Sequence, residues 1–396
     1  MLNFDFYSPT KILFGTLREL EVGKIVKEYG YTKVLLHYGK SSIKKNGLYD
    51  RVVTSLTKEG IKIIELGGVE PNPKVSLVRE GIKLAKENQV ELILAVGGGS
   101  VIDSSKAIAC GYYLNADPWL LNSHEIKPTK ALPIGVILTI SAAGSELSNS
   151  CVITNDETNV KSGFNNDIIR PLFSIMDPEL TYTVSHFQTS CGIVDIMMHT
   201  LERYLTNVGN NSFADEMAIG LLKAVIKAGR VAFNEPYNYD ARATLMIASS
   251  FSHNGLTGLG SKMYFTVHKL EHEISGTFDY VAHGAGLSVL FLAWAKYVYK
   301  DFIPLFSSLA YGAFEVSKEV EPYLAAQKGI SYLESYFKDL NMPITLYDLN
   351  IDMSKLEEMA NRLTKDDTVM VPGIKPLNKN DILEIFKIAK GGNWNG

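Results

Sequence analysis

Two features of the sequence predict a mostly parallel α/β half followed by an all-α half. Over about the first 180 residues, short β-branched runs alternate with longer amphipathic ones, the mark of a parallel sheet covered by helices. After that point the strand signal fades, and segments with apolar residues at helical spacing follow one another. The boundary is placed so that residues 1–183 form the α/β domain and 184–396 the helical one.

Each element has its own warrant. Residues 33–38 (KVLLHY), 61–66 (IKIIEL), 91–96 (ELILAV) and 134–139 (IGVILT) are short apolar runs of the kind buried on both faces of a sheet. Residues 43–59, 74–89 and 100–112 lie between them with helical spacing. From Cys151 to Asp177, two short runs around residues 155–158 (NDET) read as a hairpin followed by a last strand. Helices are then expected over 186–207, 211–232, 238–252, 262–276, 283–299, 301–317 and 321–340, with turns at 208–211 (VGNN) and 234–238 (NEPYN). Residues 4–15 (FDFYSPTKILFG) have strand-like character.

Composition narrows the class. An apolar content of 46% and a charged content of 21% are those of an ordinary soluble globular protein. A formal net charge of −4 recommends neither nucleic acid nor an anionic membrane as a partner. No apolar run approaches the roughly 18 residues of a membrane span, and the first residues lack the layout of a signal peptide. Cys110, Cys151 and Cys191 form neither a CxxC pair nor a disulfide framework, so a cytoplasmic location is expected.

Chemistry concentrates first at the strand ends, where ligands bind in such sheets. Those ends read 39–42 (GKSS), 67–73 (GGVEPNP) and 97–100 (GGGS). Gly97 to Asp103 follow a strand and open a helix, whose N-terminus offers unpaired N–H groups and partial positive charge to a phosphate. The blander reading is a tight turn that needs glycines for geometry alone; its place after a central strand favours phosphate. Residues 139–148 (TISAAGSELS) follow the next strand with the same logic.

It concentrates again in a field of histidines. The chain has eight, and His268, His272 and His283 fall close together; His268 and His272 stand four apart, on one helical face. Asp195 and His199 repeat that spacing upstream. A carboxylate and several imidazoles suit a divalent transition metal such as Fe²⁺ or Zn²⁺, which can polarise a carbonyl oxygen. Four ligands from these five would suffice, and spacing alone does not say which imidazole is left out. Glu202, Glu271 and Glu273 read as solvated helical glutamates.

Taken together, residues 97–103 (GGGSVID), 144–146 (GSE), 177–183 (DPELTYT), 192–202 (GIVDIMMHTLE), 268–275 (HKLEHEIS) and 283–287 (HGAGL) resemble the iron-containing (group III) alcohol dehydrogenases, over nearly the whole chain. Residues 46–52 (NGLYDRV) are similar to the branch of NAD(P)H-dependent butanol dehydrogenases and aldehyde reductases. The resemblance implies a Rossmann-like dinucleotide-binding α/β domain, a helical metal- and substrate-binding domain, and hydride transfer between NAD(P)H and short aldehydes such as butanal. It implies Asp195, His199, His268 and His283 as ligands of Fe²⁺ or Zn²⁺. His272 then lines the site as a candidate proton relay. Cofactor contacts carry over to Gly98, Gly99, Ser100, Asp103, Thr139, Ser148, Lys161 and Leu180, and the adenosine ribose to Gly39, Lys40, Ser41 and Ser42. NAD-preferring members tend to carry an acid in that last loop; Lys40 and two hydroxyls suit a 2′-phosphate instead, which favours NADPH over NADH. The resemblance also implies a homodimer. Ala143, Ser185 and Lys40 depart from the usual Thr, Pro and Gly. Glycerol dehydrogenase-like polyol oxidation and a dehydroquinate synthase-like lyase cycle are the alternatives on the same architecture.

Overall fold

A computed structural model describes residues 1–206 and 211–391. In chain order its elements begin β1 (Lys11–Phe14), α1 (Val22–Glu28), β2 (Lys33–Tyr38), α2 (Ser42–Lys45), α3 (Leu48–Lys58), β3 (Lys62–Leu66), α4 (Val75–Asn88) and β4 (Leu92–Gly97). There follow α5 (Gly99–Gly111), α6 (Trp119–Asn122), β5 (Ile134–Leu138), β6 (Ser150–Asn155), β7 (Val160–Asn165) and β8 (Phe173–Met176). The helices then run α7 (His186–Tyr204), α8 (Ser212–Asn234), α9 (Tyr239–His253), α10 (Thr266–Thr277) and α11 (His283–Val298). The last are α12 (Ile303–Ala313), α13 (Pro322–Asp339), α14 (Leu356–Thr364) and α15 (Lys379–Ala389).

One compact unit comprises Tyr7–Val184 and Pro236–Asn254. Its sheet is wholly parallel, in the order β1-β8-β5-β4-β2-β3, and β6 and β7 form a separate antiparallel hairpin. The buried strands β4 and β5 are apolar throughout because helices cover both faces. α1 and α3 pack on one face through Val22, Val26, Val52 and Leu56. On the other, α4 and α5 pack through Val78, Ala85, Ile102 and Ile108. The chain leaves β2 outward to β3 and returns on β2's other flank as β4, so the strand order reverses between β2 and β4. That is the crevice where doubly wound sheets take a nucleotide.

The other unit comprises Met1–Phe6, Ser185–Glu235 and Gly255–Gly396, and its regular elements are all helices among the described residues. The chain therefore changes unit at 184/185, but two segments cross that line. Met1–Phe6 belong with the helical part, and α9 belongs with the sheet. α9 meets the loop after β5, where Gly144 has φ +61° and a Cβ would overlap the Ser249 carbonyl.

Several expected elements differ in detail. The helix expected over 43–59 is two, broken at Gly47 (φ +74°). α10 starts four residues later than its apolar spacing suggests, after Phe265 in a left-handed conformation. α14 and α15 lie beyond the last expected helix. The turn expected at 208–211 lies, except for Asn211, outside the described residues.

Candidate functional site

In the helical unit, α7 presents Asp195 and His199 one turn apart on a face that is buried along almost its whole length. α11 approaches α7 closely: a Cβ on Gly284 would overlap the Cys191 backbone, one turn before Asp195. That contact brings His283, the first residue of α11, to the same place. α10 supplies His268. As a result the Oδ1 of Asp195 lies 3.4 Å from His199 Nε2 and 3.8 Å from both His268 Nε2 and His283 Nε2.

These are ligand-to-ligand distances. Donors about 2.1 Å from a tetrahedral ion stand about 3.4 Å apart, close to what is seen. Asp195 Oδ1 and His268 Nε2 are also buried and have no hydrogen-bond partner among the described residues. Buried polar atoms are rarely left so, and a cation would satisfy both. The donor set fits a divalent transition metal.

Two buried glutamates orient the imidazoles. Glu202 accepts from the backbone N–H of Val267 (2.7 Å) and of His268 (3.1 Å), and from Nδ1–H of the His268 ring. Glu271 accepts from Nδ1–H of His283. In both rings the proton is thereby assigned to Nδ1, leaving the Nε2 lone pair for a cation beside Asp195. Burial alone would lower the His268 pKa, but the carboxylates of Asp195 and Glu202 outweigh it and hold the ring up at about 9. A position that binds a proton this firmly favours positive charge.

The reading of Glu202 and Glu271 as solvated is therefore corrected: both are buried, and each binds a histidine on another helix or helix start. Their signal was available, since each follows a histidine by three residues and so shares its helical face. Glu273 is partly buried as well and pairs with Arg362. His272 sits one turn beyond His268 on α10, its ring centroid 5.4 Å from that of His283 and 6.4 Å from that of His268. With Glu271 and His283 it forms a second cluster whose ligand atoms lie within 4.8 Å of one another.

In the sheet unit, the cofactor candidates gather at the carboxyl ends of neighbouring strands. Gly39 to Ser42 follow β2, Gly98 to Asp103 follow β4, Thr139 follows β5 and Leu180 follows β8. Gly98 is extended and Gly99 begins α5, so the first N–H groups of a 13-residue helix face the crevice end of the sheet. Asp103 points back into the fold, accepting from Ser145 Oγ (2.5 Å) and Val152 N–H (2.9 Å). Ser148 is buried, and its hydroxyl accepts from Ser150 N–H. Leu180 is packed in the core under the sheet. Lys161, on β7, is partly exposed.

Lys106, which carried no expectation, is fully buried and donates to Ser145 O, Ser145 Oγ, Ser148 O and Ser150 O at 2.8–3.0 Å. It ties α5 to the loop at 145–150. Lys40 is engaged too: its ammonium pairs with Glu70, 2.5 Å away. The strand-end loop of β2 has no acid of its own, but the adjacent loop after β3 provides one.

A sheet with a helix N-terminus at its nucleotide crevice, and a buried aspartate ringed by three imidazoles, define a metal-dependent dehydrogenase. The chain belongs to the iron-containing alcohol dehydrogenases. The iron-containing alcohol dehydrogenase model matches residues 9–178, and that of the C-terminal part of the Fe-containing alcohol dehydrogenase family matches 189–390. NADH-dependent butanol dehydrogenase A of Clostridium acetobutylicum is 42% identical over 98% of this chain and 99% of its own. The NADPH-dependent aldehyde reductase YqhD of Escherichia coli is 34% identical over 92% of this chain and 93% of its own. The crystal structure of NADH-dependent butanol dehydrogenase A from Thermotoga maritima superposes with a TM-score of 0.94 at 37% identity, covering 98% and 99% of the two chains.

Proposed function

We propose that this alcohol dehydrogenase reduces short aldehydes such as butanal with NADPH or NADH. The observation that carries the reading is the convergence of three imidazole Nε2 atoms on Asp195 Oδ1. Asp195, His199, His268 and His283 hold Fe²⁺ or Zn²⁺; the N-terminus of α5 and the loops at Gly39–Ser42, Thr139 and Ser148 hold the nicotinamide nucleotide. Bound there, the ion supplies Lewis acidity to the carbonyl oxygen and the nucleotide supplies hydride.

The chain's own residues do the rest. Glu202 and Glu271 fix the tautomers of His268 and His283, so that both rings meet the cation without rearrangement. The buried Lys106 holds the 145–150 loop against α5, which keeps the nucleotide-facing backbone in place. A ring nitrogen of His272 passes the proton that converts the alkoxide to the alcohol, a task suited to an imidazole near neutral pH.

Initial rates with NADH and with NADPH against short aldehydes, after loading with Fe²⁺ or Zn²⁺ separately, test the reading. Net consumption of reduced nucleotide with butanal is expected; turnover with no net consumption would point to a lyase instead. His272→Asn is expected to lower kcat and flatten its pH profile while metal content stays unchanged, and an unaltered rate and profile would remove the relay.

A homodimer in the cytoplasm is part of the same proposal. Met1, Leu2, Phe4, Phe6 and Tyr7 form an exposed apolar run, and the three cysteines are buried and unbonded. Light scattering on the purified protein tests the dimer.

A further inference from the structure

The sheet order sets β3 beside β2, so the loops that leave their carboxyl ends run side by side. They are joined by backbone: Gly68 N–H donates to Gly39 O at 2.9 Å, and Val69 N–H to Tyr38 O at 3.3 Å. The ring of Tyr38 packs where a side chain on Gly67 would stand. The β3 loop is thus held in register with the β2 loop, which places Glu70 opposite Lys40. Their side chains meet at 2.5 Å and remain 45% and 66% exposed. An ion pair so exposed contributes little stability and exchanges readily for another partner.

In doubly wound sheets, an acid near the end of the second strand accepts from the adenosine 2′-hydroxyl of NAD, and a basic group there receives the 2′-phosphate of NADP. Here both groups are present, on adjoining loops and bound to each other. We propose that Lys40 and Glu70 are an exchangeable selector for the 2′ substituent of the nucleotide. With NADH the pair stays closed, and the second carboxylate oxygen of Glu70 accepts from the 2′-hydroxyl. With NADPH the phosphate must take Lys40 from Glu70 and then lie near an unpaired carboxylate. Glu70 therefore acts as a brake on NADPH, and Lys40 as the group that receives its 2′-phosphate. This rests on the assignment of the nucleotide to the strand ends made above.

The selector is tested by equilibrium binding of NADH and NADPH, followed by nucleotide fluorescence, to the metal-loaded wild type, Glu70→Gln, Lys40→Gly and the double variant. Glu70→Gln keeps an acceptor for the hydroxyl and removes the charge, so NADPH is expected to tighten about fivefold and NADH to change less than about twofold. Lys40→Gly is expected to weaken NADPH about tenfold, to spare NADH, and to cost more NADPH affinity when Glu70 is already Gln. The NADPH effects should shrink as salt is raised. Equal shifts for the two nucleotides, or none in Glu70→Gln, would overturn the selector while leaving the nucleotide site standing. Failure of the wild type to bind either nucleotide would remove the site and the selector together.

Discussion

Glu202 ties the start of a helix to the ligand field with one carboxylate. It caps α10 by accepting from Val267 N–H and His268 N–H, and it turns the His268 ring by accepting from Nδ1–H. Because Glu202 helps hold His268 at about 9, a proton competes for Nε2 at neutral pH. Metal affinity is therefore expected to rise with pH, by up to about tenfold per unit, and to level off near 9. Glu202→Gln should weaken Zn²⁺ about 10–100-fold and move that plateau to lower pH; chelator competition across pH measures both, and an unmoved plateau would separate Glu202 from the ring's charge. His37 shows the opposite case. It is fully buried, donating from Nδ1 to Leu66 O and accepting at Nε2 from Ser104, each at 2.8 Å, and burial lowers its pKa to about 4. The folded state thus prefers the neutral ring, and the unfolded state takes up the proton first as pH falls below 6.5. Stability present above that pH is lost by about 3 kcal/mol on the way down to about 4. Urea midpoints at neutral pH and at about 4.5 should show a loss in the wild type that is smaller in His37→Gln.

Among elements, the contact between α7 and α11 decides whether the histidines can meet. Gly284 lies against the Cys191 backbone with no room for a Cβ, so Gly284→Ala must push the start of α11 away. An overpacking cost of about 1–3 kcal/mol is expected, together with loss of bound metal, because His283 is the adjacent residue. Melting temperature and metal per chain check this, and a variant that melts lower but keeps its full metal would detach the contact from the site. The same contact explains what the sequence could not disclose. Helical spacing places Asp195 with His199 and His268 with His272, because i, i+4 neighbours share a face whatever the tertiary structure does. That His268 and His283 both bring Nε2 within 3.8 Å of Asp195 Oδ1 depends on how α10 and α11 are set against α7, which no local period encodes. Where the physics is local the sequence suffices: the β2 strand matches residue for residue, and the strand-end glycines fall where expected. α14, whose Leu356, Met359 and Ala360 are buried at helical spacing, was legible by the same rule. The three-residue spacing marks the face that Glu202 and Glu271 share with a histidine, but their burial depends on the opposite helix.

For the molecule as a whole, the chain's order and its packing diverge at α9. Read along the sequence, the α/β domain ends near residue 183, yet Pro236–Asn254 return to it from the middle of the helical part. The return is chemically required. Glu146 is buried, and that burial raises its pKa; Ser250 Oγ donates to it at 2.5 Å, and Ser249 Oγ lies 3.4 Å away. Met246 of α9 is also part of the apolar core on the α4–α5 face. A fragment ending at Val184 would lose these hydroxyl partners and open the apolar face under Met246 to water, and each core side chain left exposed costs about 1.5–3 kcal/mol. Residues 7–184 alone are thus expected to aggregate or to melt without a cooperative transition. Joining residues 236–254 to that fragment through a flexible Gly/Ser linker is expected to restore a single sharp transition by calorimetry. In the rescued fragment, Ser250→Ala should lower the transition while a change at the exposed Tyr237 should not. A cooperative transition in residues 7–184 alone would show that the sheet is complete without α9, and that the helix is carried by the unit rather than needed by it.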